Sequence, residues 1–280
     1  MKVGLCIFLT HYAASPAEIG RTAEELGFES LWVPEHPCIP VSCETPFPTG
    51  GAIPRQYWSS YDPFVALSCV ASATRELRVA TGVCLMAQRD PIVTAKAVAS
   101  LDVLSGGRFL FGVGAGWLRE EMELMGADFP RRWAQVKSRV LAMKKIWTEP
   151  EAEFHGEFVN FPPILSEPKP LQKPHPPVHL GGDHPNSFRR VGEWADGWIP
   201  LRATPGDVIA GRRKIQEFAR AAGRDASAVE ISPFGGRPKR DQLQAYEDAG
   251  AARYVIFVES FGPGRMQSEL AALASHIGLR

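Results

Sequence analysis

The chain has 280 residues, enough for one barrel of about 250 residues or for two smaller domains. Lysine plus arginine and aspartate plus glutamate stand at 31 each, so no net charge points to nucleic acid or an anionic membrane as partner. Hydrophobic residues at 45% and charged residues at 22% are ordinary for a globular enzyme, and no apolar run approaches the roughly 20 residues of a membrane span. Met1 leads straight into an apolar stretch too short for a signal peptide, so a cytoplasmic protein is expected. Cys6, Cys38, Cys43, Cys69 and Cys84 are scattered and include no C-x-x-C pair, which suits reduced thiols. Cys38 and Cys43 lie near His36, but no fourth ligand follows at usable spacing, and no metal site is expected.

Residues 2–9 are almost wholly apolar, as in a strand buried on both faces. Ser15-Pro16-Ala17-Glu18 reads as a capping box with proline at the first helical position, and Ile19, Ala23 and Leu26 then share a face up to Gly27. Residues 29–33 form a second strand that ends in Pro34-Glu35-His36. From 37 to 60 the chain is rich in Pro, Gly, Ser and Thr without periodicity, and a loop that long usually serves as a lid or binding loop. Asp62-Pro63 caps a helix reaching about residue 74. Residues 78–85 read as strand three. Asp90-Pro91 opens a helix over 92–104, whose Ala95, Ala97 and Ala99 let it lie close on a sheet. Ser105-Gly106-Gly107 ends it and residues 109–113 return as a strand, giving a right-handed βαβ unit.

That strand runs into Gly112-Val113-Gly114-Ala115-Gly116-Trp117. Alternate glycines at the carboxyl end of a parallel strand let a planar ligand or a phosphate approach the backbone, although they would also serve a tight turn. As a dinucleotide fingerprint the run is poor: the third glycine is misplaced and no acidic residue ends a strand about 20 positions on. A short helix follows over 118–125. Trp133, Val136, Val140, Met143 and Trp147 then recur at three- and four-residue steps, one face of a long helix predicted to pack on the outside of the fold. A hairpin is predicted over 153–161 and a Pro-rich linker over 162–177, read as an insertion because the alternation resumes beyond it. Strands are predicted at 178–180, 197–201, 229–234 and 254–258, with helices at 186–194, 205–222, 242–249 and 266–277.

Eight strands alternating with helices allow an open doubly wound sheet or a closed (β/α)8 barrel, and eight units in 280 residues favour the barrel. The expectation is one α/β domain over 1–280, with insertions after strands two and four. In a barrel, Glu35-His36, Gly82-Val83, residues 112–117, Gly181-Gly182, Trp198 and Glu259 open on the single face where active sites of this fold sit.

TGV at 81–83, the R-x-P of Arg89 to Pro91, the run AKAVASLDVLSGGR from Ala95 to Arg108 and GVGAGW at 112–117 resemble the luciferase-like monooxygenase superfamily. SLWVPEH at 30–36, YDP at 61–63, PKP at 168–170, PPVHLGG at 176–182 and ADGWIP at 195–200 strengthen the likeness. Together they resemble the subgroup that uses the deazaflavin coenzyme F420. The resemblance implies a luciferase-like TIM barrel with an isoalloxazine-type ring at the carboxyl ends of the strands. It also implies a non-proline cis peptide at Gly82–Val83.

The implied cofactor-binding residues are Gly82, Val83, Cys84, Gly114, Gly116 and Trp117 around the ring, with the phosphate by Gly181, Gly182, Asp183 and His184. A glycine pair before a helix N-terminus is a ready anion site. Glu35-His36 matches the family's acidic–His pair. His36 would donate a proton or stabilise charge on the reduced cofactor, with Glu35 acting through the orientation and basicity of the imidazole. His11 is a second candidate, and Trp58 and Tyr61 in the lid are expected to shape the substrate pocket. His155, His175 and His276 are expected to be structural. Trp117 stands where the sugar-phosphate dehydrogenase branch carries a glutamate acid, which argues against that chemistry. The resemblance therefore implies hydride transfer between F420 and a small organic substrate, in a homodimer. An FMN-dependent monooxygenase supplied by a partner reductase is the alternative, and a non-catalytic flavin-binding barrel the third reading.

Overall fold

The computed structural model describes residues 1–279. β1 (Lys2–Ile7), α1 (Pro16–Glu25) and β2 (Ser30–Val33) lead to the single-turn α2 (Gln56–Ser59) and to α3 (Pro63–Ala73). β3 (Arg78–Thr81) and β4 (Cys84–Leu85) precede α4 (Pro91–Leu104), β5 (Phe109–Gly114), α5 (Arg119–Leu124) and α6 (Arg132–Thr148). β6 (Glu151–His155) and β7 (Asn160–Leu165) pair as an antiparallel hairpin. The rest alternates: β8 (Val178–Gly181), α7 (Pro185–Trp194), β9 (Gly197–Ile199), α8 (Pro205–Ala221), β10 (Glu230–Ile231), β11 (Phe234–Gly235), α9 (Arg240–Asp248), β12 (Arg253–Val258) and α10 (Pro263–Ile277).

The helix starts follow local chemistry. Ser15 Oγ accepts the Glu18 N–H while the Glu18 carboxylate accepts the Ser15 N–H, and Thr204 and Asp207 repeat the arrangement at α8. Asp62 and Asp90 accept first-turn N–H groups of α3 and α4, and a proline follows each cap.

The large sheet has the order β10-β9-β8-β5-β3-β2-β1-β12-β11, with β4 beside β5. Every pairing in it is parallel. Its two ends, β10 and β11, are consecutive pieces of one segment, interrupted at Ser232-Pro233, where proline has no N–H to offer. The Ser232 and Phe234 N–H groups donate to the Trp198 and Pro200 carbonyls, while the Pro233 carbonyl accepts the Val255 N–H. This segment thus bonds to the β9 side and to β12, and the sheet is strongly curled. The curl gathers Cys6, Trp32, Ala80, Leu110, Ile199, Phe234 and Val255, each from a different strand, into a small core of their own. A larger core lies between strands and helices.

Below that inner core the buried Arg253 is matched by Glu29 at 3.2 Å, Glu230 at 2.9 Å and Ser232 Oγ at 2.8 Å. A charge out of water persists only with such partners. His179, wholly buried with its ring 5.8 Å from that of Trp32, is pushed down to about 4, first by burial and then by Arg253.

Three predicted elements need correction. The strand read over 229–234 is broken into β10 and β11 at Ser232-Pro233. The strand read over 78–85 is broken into β3 and β4 at Gly82–Val83, whose peptide is cis. The linker read over 162–177 begins inside β7, which tolerates Pro162 and Pro163 because they fall at the register shift between Ala152 and Phe154, where neither is paired across the hairpin. No described helix is long and apolar enough to cross a membrane.

Candidate active site

Strand ends converge on a cavity of about 370 Å³, lined by mostly apolar side chains. The turn after β3 gives it Gly82 and Val83; the turn after β5 gives it Gly116 and Trp117; β8 leads into Gly181 and Gly182. Glu35 and His36 after β2 close one side, with Phe8, Tyr57 and Trp133 around the rim.

Val83 shapes the floor. A Cβ on Gly114 would lie 2.7 Å from Val83 Cγ2, and one on Gly181 3.3 Å from Val83 Cγ1. These glycines therefore make room for the Val83 side chain, and both also line the cavity.

His36 is 8% exposed and held at both ring nitrogens. Its Nδ1 lies 2.9 Å from Oε2 of Glu121, a fully buried carboxylate on α5, and its Nε2 lies 3.3 Å from Trp117 Nε1. A carboxylate accepts and an indole N–H donates, so the proton sits on Nδ1 and Nε2 is the acceptor. The Tyr57 ring stands 5.0 Å from the imidazole and the Trp117 ring 5.8 Å. Phe47 of the lid touches both of those aromatic rings.

Glu35 has no bond to His36, contrary to expectation. Its Oε2 accepts the Leu85 N–H at 2.8 Å and its Oε1 accepts Arg89 Nε at 2.6 Å. Arg89 also reaches Asp62 at 2.5 Å. Glu35 is thus a clamp from the end of β2 onto β4, and Glu121 is the carboxylate that orients the imidazole.

Trp58, Tyr61 and His11 do not line this cavity. Trp58 faces a separate groove of about 610 Å³ within the lid. Tyr61 lines a neighbouring polar pocket of about 440 Å³ that meets the first at Glu35 and His36. His11 Nδ1 sits 3.2 Å from the Ser59 carbonyl. Cys84 is buried behind the wall, and that burial raises its thiol pKa well above the usual range. Asp183 accepts the Leu201 N–H at 3.0 Å, and His184 caps α7 by accepting the Asn186 N–H at 3.1 Å. His184 therefore occupies one of the N–H groups expected for a phosphate.

The luciferase-like monooxygenase model matches residues 1–248. The chain belongs to the luciferase-like monooxygenase family. An uncharacterized protein of Mycobacterium tuberculosis is 36% identical over 287 residues, covering 100% of this chain and 98% of that one. An FMNH2-dependent dimethylsulfone monooxygenase of Pseudomonas putida is 30% identical over 164 residues, which is 57% of this chain and 44% of that enzyme. The structure of an F420-dependent secondary alcohol dehydrogenase with an F420–acetone adduct shares the fold, at TM-score 0.76 and 17% identity over 99% of this chain and 98% of that one.

A phosphate of a family cofactor fits at Gly182. Its φ of +125° favours glycine, and a Cβ there would meet Ser187 Oγ at 3.1 Å. Ser187 is 1% exposed, and its hydroxyl has no partner among the described residues. An orphaned buried hydroxyl aimed at a glycine cradle, on the first turn of the ten-residue α7, suits a phosphate oxygen. Trp198 Nε1 donates to the Gly182 carbonyl at 2.9 Å and fixes the cradle from behind. Trp133, read from its spacing as outer packing, packs against the core and also lines the cavity, 4.0 Å from where a Cβ on Gly182 would stand.

Glu121, Tyr57, Trp133 and Ser187 are the site residues that the sequence reading missed. For Ser187 a signal existed, a hydroxyl on the first turn of a helix after Gly-Gly. For the others none did.

Proposed function

We propose that the protein is an F420-dependent oxidoreductase that moves a hydride between the deazaflavin and a small organic substrate. In this reading the curled sheet is a closed (β/α)8 barrel, one domain over 1–280, with the ring in the 370 Å³ cavity. The supporting observation is the buried His36–Glu121 pair at the edge of an apolar cavity whose far end carries the Gly182–Ser187 cradle. Val83, Gly116 and Trp117 would hold the ring, and Gly182 with Ser187 its phosphate. A deazaflavin supplies two-electron hydride chemistry and reacts poorly with oxygen.

The protein's own part is proton management and exclusion of water. His36 Nε2 is the atom able to take up a proton, and Glu121 stabilises the imidazolium that results. Tyr57 and Trp117 flank the imidazole and keep bulk water from it. Glu35 and Arg89 hold β4, and through it Val83, in place. A scaffold that merely bound a flavin would have no use for the pair.

The Pseudomonas relative favours a second reading, an FMN-dependent monooxygenase supplied by a partner reductase. Fluorescence titration of the purified protein separates the two. Tight binding of F420 with weak binding of FMN is expected; tight FMN binding without F420 binding overturns the first reading. A homodimer belongs to the proposal and is read by light scattering.

A further inference from the structure

Beyond Trp133, outside the ring cavity, two arginines lack a counter-charge. The Arg190 guanidinium, on α7, lies 4.3 Å above the Trp133 ring and makes no hydrogen bond or ion pair among the described residues. Arg132, at the start of α6, lies 4.0 Å above Phe129 and donates to the Phe129 carbonyl at 2.8 Å, but its Nε is buried without an acceptor. Neither has a carboxylate within 4.0 Å among the described residues. Their neighbours are mainly cations: Arg119 is 4.7 Å from the same Phe129 ring and Arg189 adjoins Arg190, while Glu193, the acid that acts on Arg190 from farther off, is already paired with Lys137 at 3.1 Å and Arg189 at 3.8 Å. Burial first, and these like charges next, lower the pKa of both guanidiniums.

Several buried or half-buried arginines elsewhere are matched, although Arg139 on α6 also has a buried Nε without an acceptor and donates only to the Met86 carbonyl, at 3.0 Å. Arg89 has Glu35 and Asp62, Arg131 has Asp128 and Glu157, and Arg253 has Glu29 and Glu230. In a chain whose charges sum to zero, a half-buried cationic pair with no counter-charge is a local feature that an anion would relieve. The pair flanks Trp133, the side chain that adjoins the Gly182 cradle, so the anion would lie past a phosphate seated there.

We propose that Arg132 and Arg190 bind an anionic tail extending beyond the cofactor phosphate, of the carboxylate-bearing oligoglutamyl class. The proposal rests on the reading of the cavity as a flavin or deazaflavin site. FMN ends at its phosphate and would leave both arginines uncovered. F420 continues through a phosphodiester into glutamyl carboxylates, and the planar guanidinium fork matches a carboxylate. The two arginines therefore select between the cofactors that the ring cavity alone would admit.

The test is fluorescence titration of the full-length protein with glutamylated F420, with its chromophore lacking phosphate and tail, and with FMN. Wild type, Arg132→Gln, Arg190→Gln, the double variant and the Lys replacements are compared at low and moderate salt. F420 affinity should fall about tenfold per arginine lost to Gln, and its salt dependence should flatten. The Lys variants should recover most of the loss. Affinity for the tail-less chromophore should stay within about twofold, which a folding defect would not allow. An unchanged F420 affinity in the double variant overturns the proposal, as does an equal loss for the tail-less chromophore, while the ring site stands. Failure of wild type to bind any of the three overturns the ring site and the proposal together.

Discussion

His36 and Glu121 are 85 residues apart in the chain, yet His36 Nδ1 lies 2.9 Å from Glu121 Oε2 with both side chains buried. The contact joins the end of β2 to the helix after β5, so the imidazole is aimed by a different strand unit from the one that carries it. Replacing Glu121 with Gln keeps the shape and removes the charge that stabilises an imidazolium. Turnover with F420 and substrate should fall about 10²-fold, with cofactor affinity changing far less. His36→Ala should cost about 10²–10⁴-fold in rate. Full turnover in a folded His36→Ala protein would make the residue structural.

Glu35 has a different part, and its substitution should show it. The carboxylate is 3% exposed and satisfies both the Leu85 N–H and Arg89. Glu35→Gln leaves a half-buried guanidinium short of a partner, so unfolding free energy in urea should fall by about 3 kcal/mol. Stability equal to wild type would remove the clamp from the account of how β4 is held.

How much of this was legible from residues divides by the range of the interaction. Ser15, Asp62, Asp90 and Thr204 announced their helices because a cap is made within three residues. The alternation of strands and helices was legible for the same reason. The break between β3 and β4 was not, since 78–85 carries no charged or proline residue after Arg78 to interrupt it and only the resemblance marked Gly82–Val83. Glu121 stands in a helix reading REEMEL, where one of three acids turns inward and nothing local says which. Tyr57 and Trp58 are adjacent aromatics in a stretch without sequence periodicity; the first lines the 370 Å³ cavity and the second faces the outer groove.

His179 gives a pH dependence with a definite sign. Its folded-state pKa of about 4 lies below the ordinary value of 6.5, so the unfolded chain binds the extra proton between those limits. Stability should be complete above pH 6.5 and decline as pH falls towards 4, by up to about 3 kcal/mol in all. Urea melts across that window should show the slope, and His179→Gln should lessen it. A slope unaffected by the substitution would assign the acid sensitivity to other groups.

The lid has its own anchor. Glu120 Oε1 accepts the N–H groups of Glu44 at 2.7 Å and Thr45 at 2.9 Å. Desolvation pushes this carboxylate up, but the backbone N–H groups outweigh it and bring it down to about 2. A depressed carboxylate stabilises above its unfolded value near 4.5 and loses that effect as pH falls to about 2, so the anchor holds at neutral pH. Glu120→Ala should speed amide exchange at Glu44 and Thr45 and leave exchange in β1 and β2 unaltered. Unchanged exchange at those two amides would mean that the lid is held elsewhere.

Two substitutions at Gly182 and Ser187, the proposed phosphate cradle, should behave differently, and the contrast isolates binding from folding. Gly182→Ala puts a side chain where φ is +125° and where the new Cβ would stand 3.1 Å from Ser187 Oγ, so it should weaken the fold as well as cofactor binding. Ser187→Ala removes a hydroxyl that is buried and unpartnered, and a buried polar atom without a bond is a liability to the folded state. Its melting temperature should hold or rise. If that hydroxyl donates to the phosphate, affinity for a phosphate-bearing cofactor should nevertheless drop about tenfold, the worth of one hydrogen bond to a charged acceptor. A deazaflavin without phosphate should bind both proteins alike. Thermal melts beside fluorescence titrations check the pair. A Ser187→Ala protein that binds the phosphate-bearing cofactor as wild type does would move the phosphate away from α7.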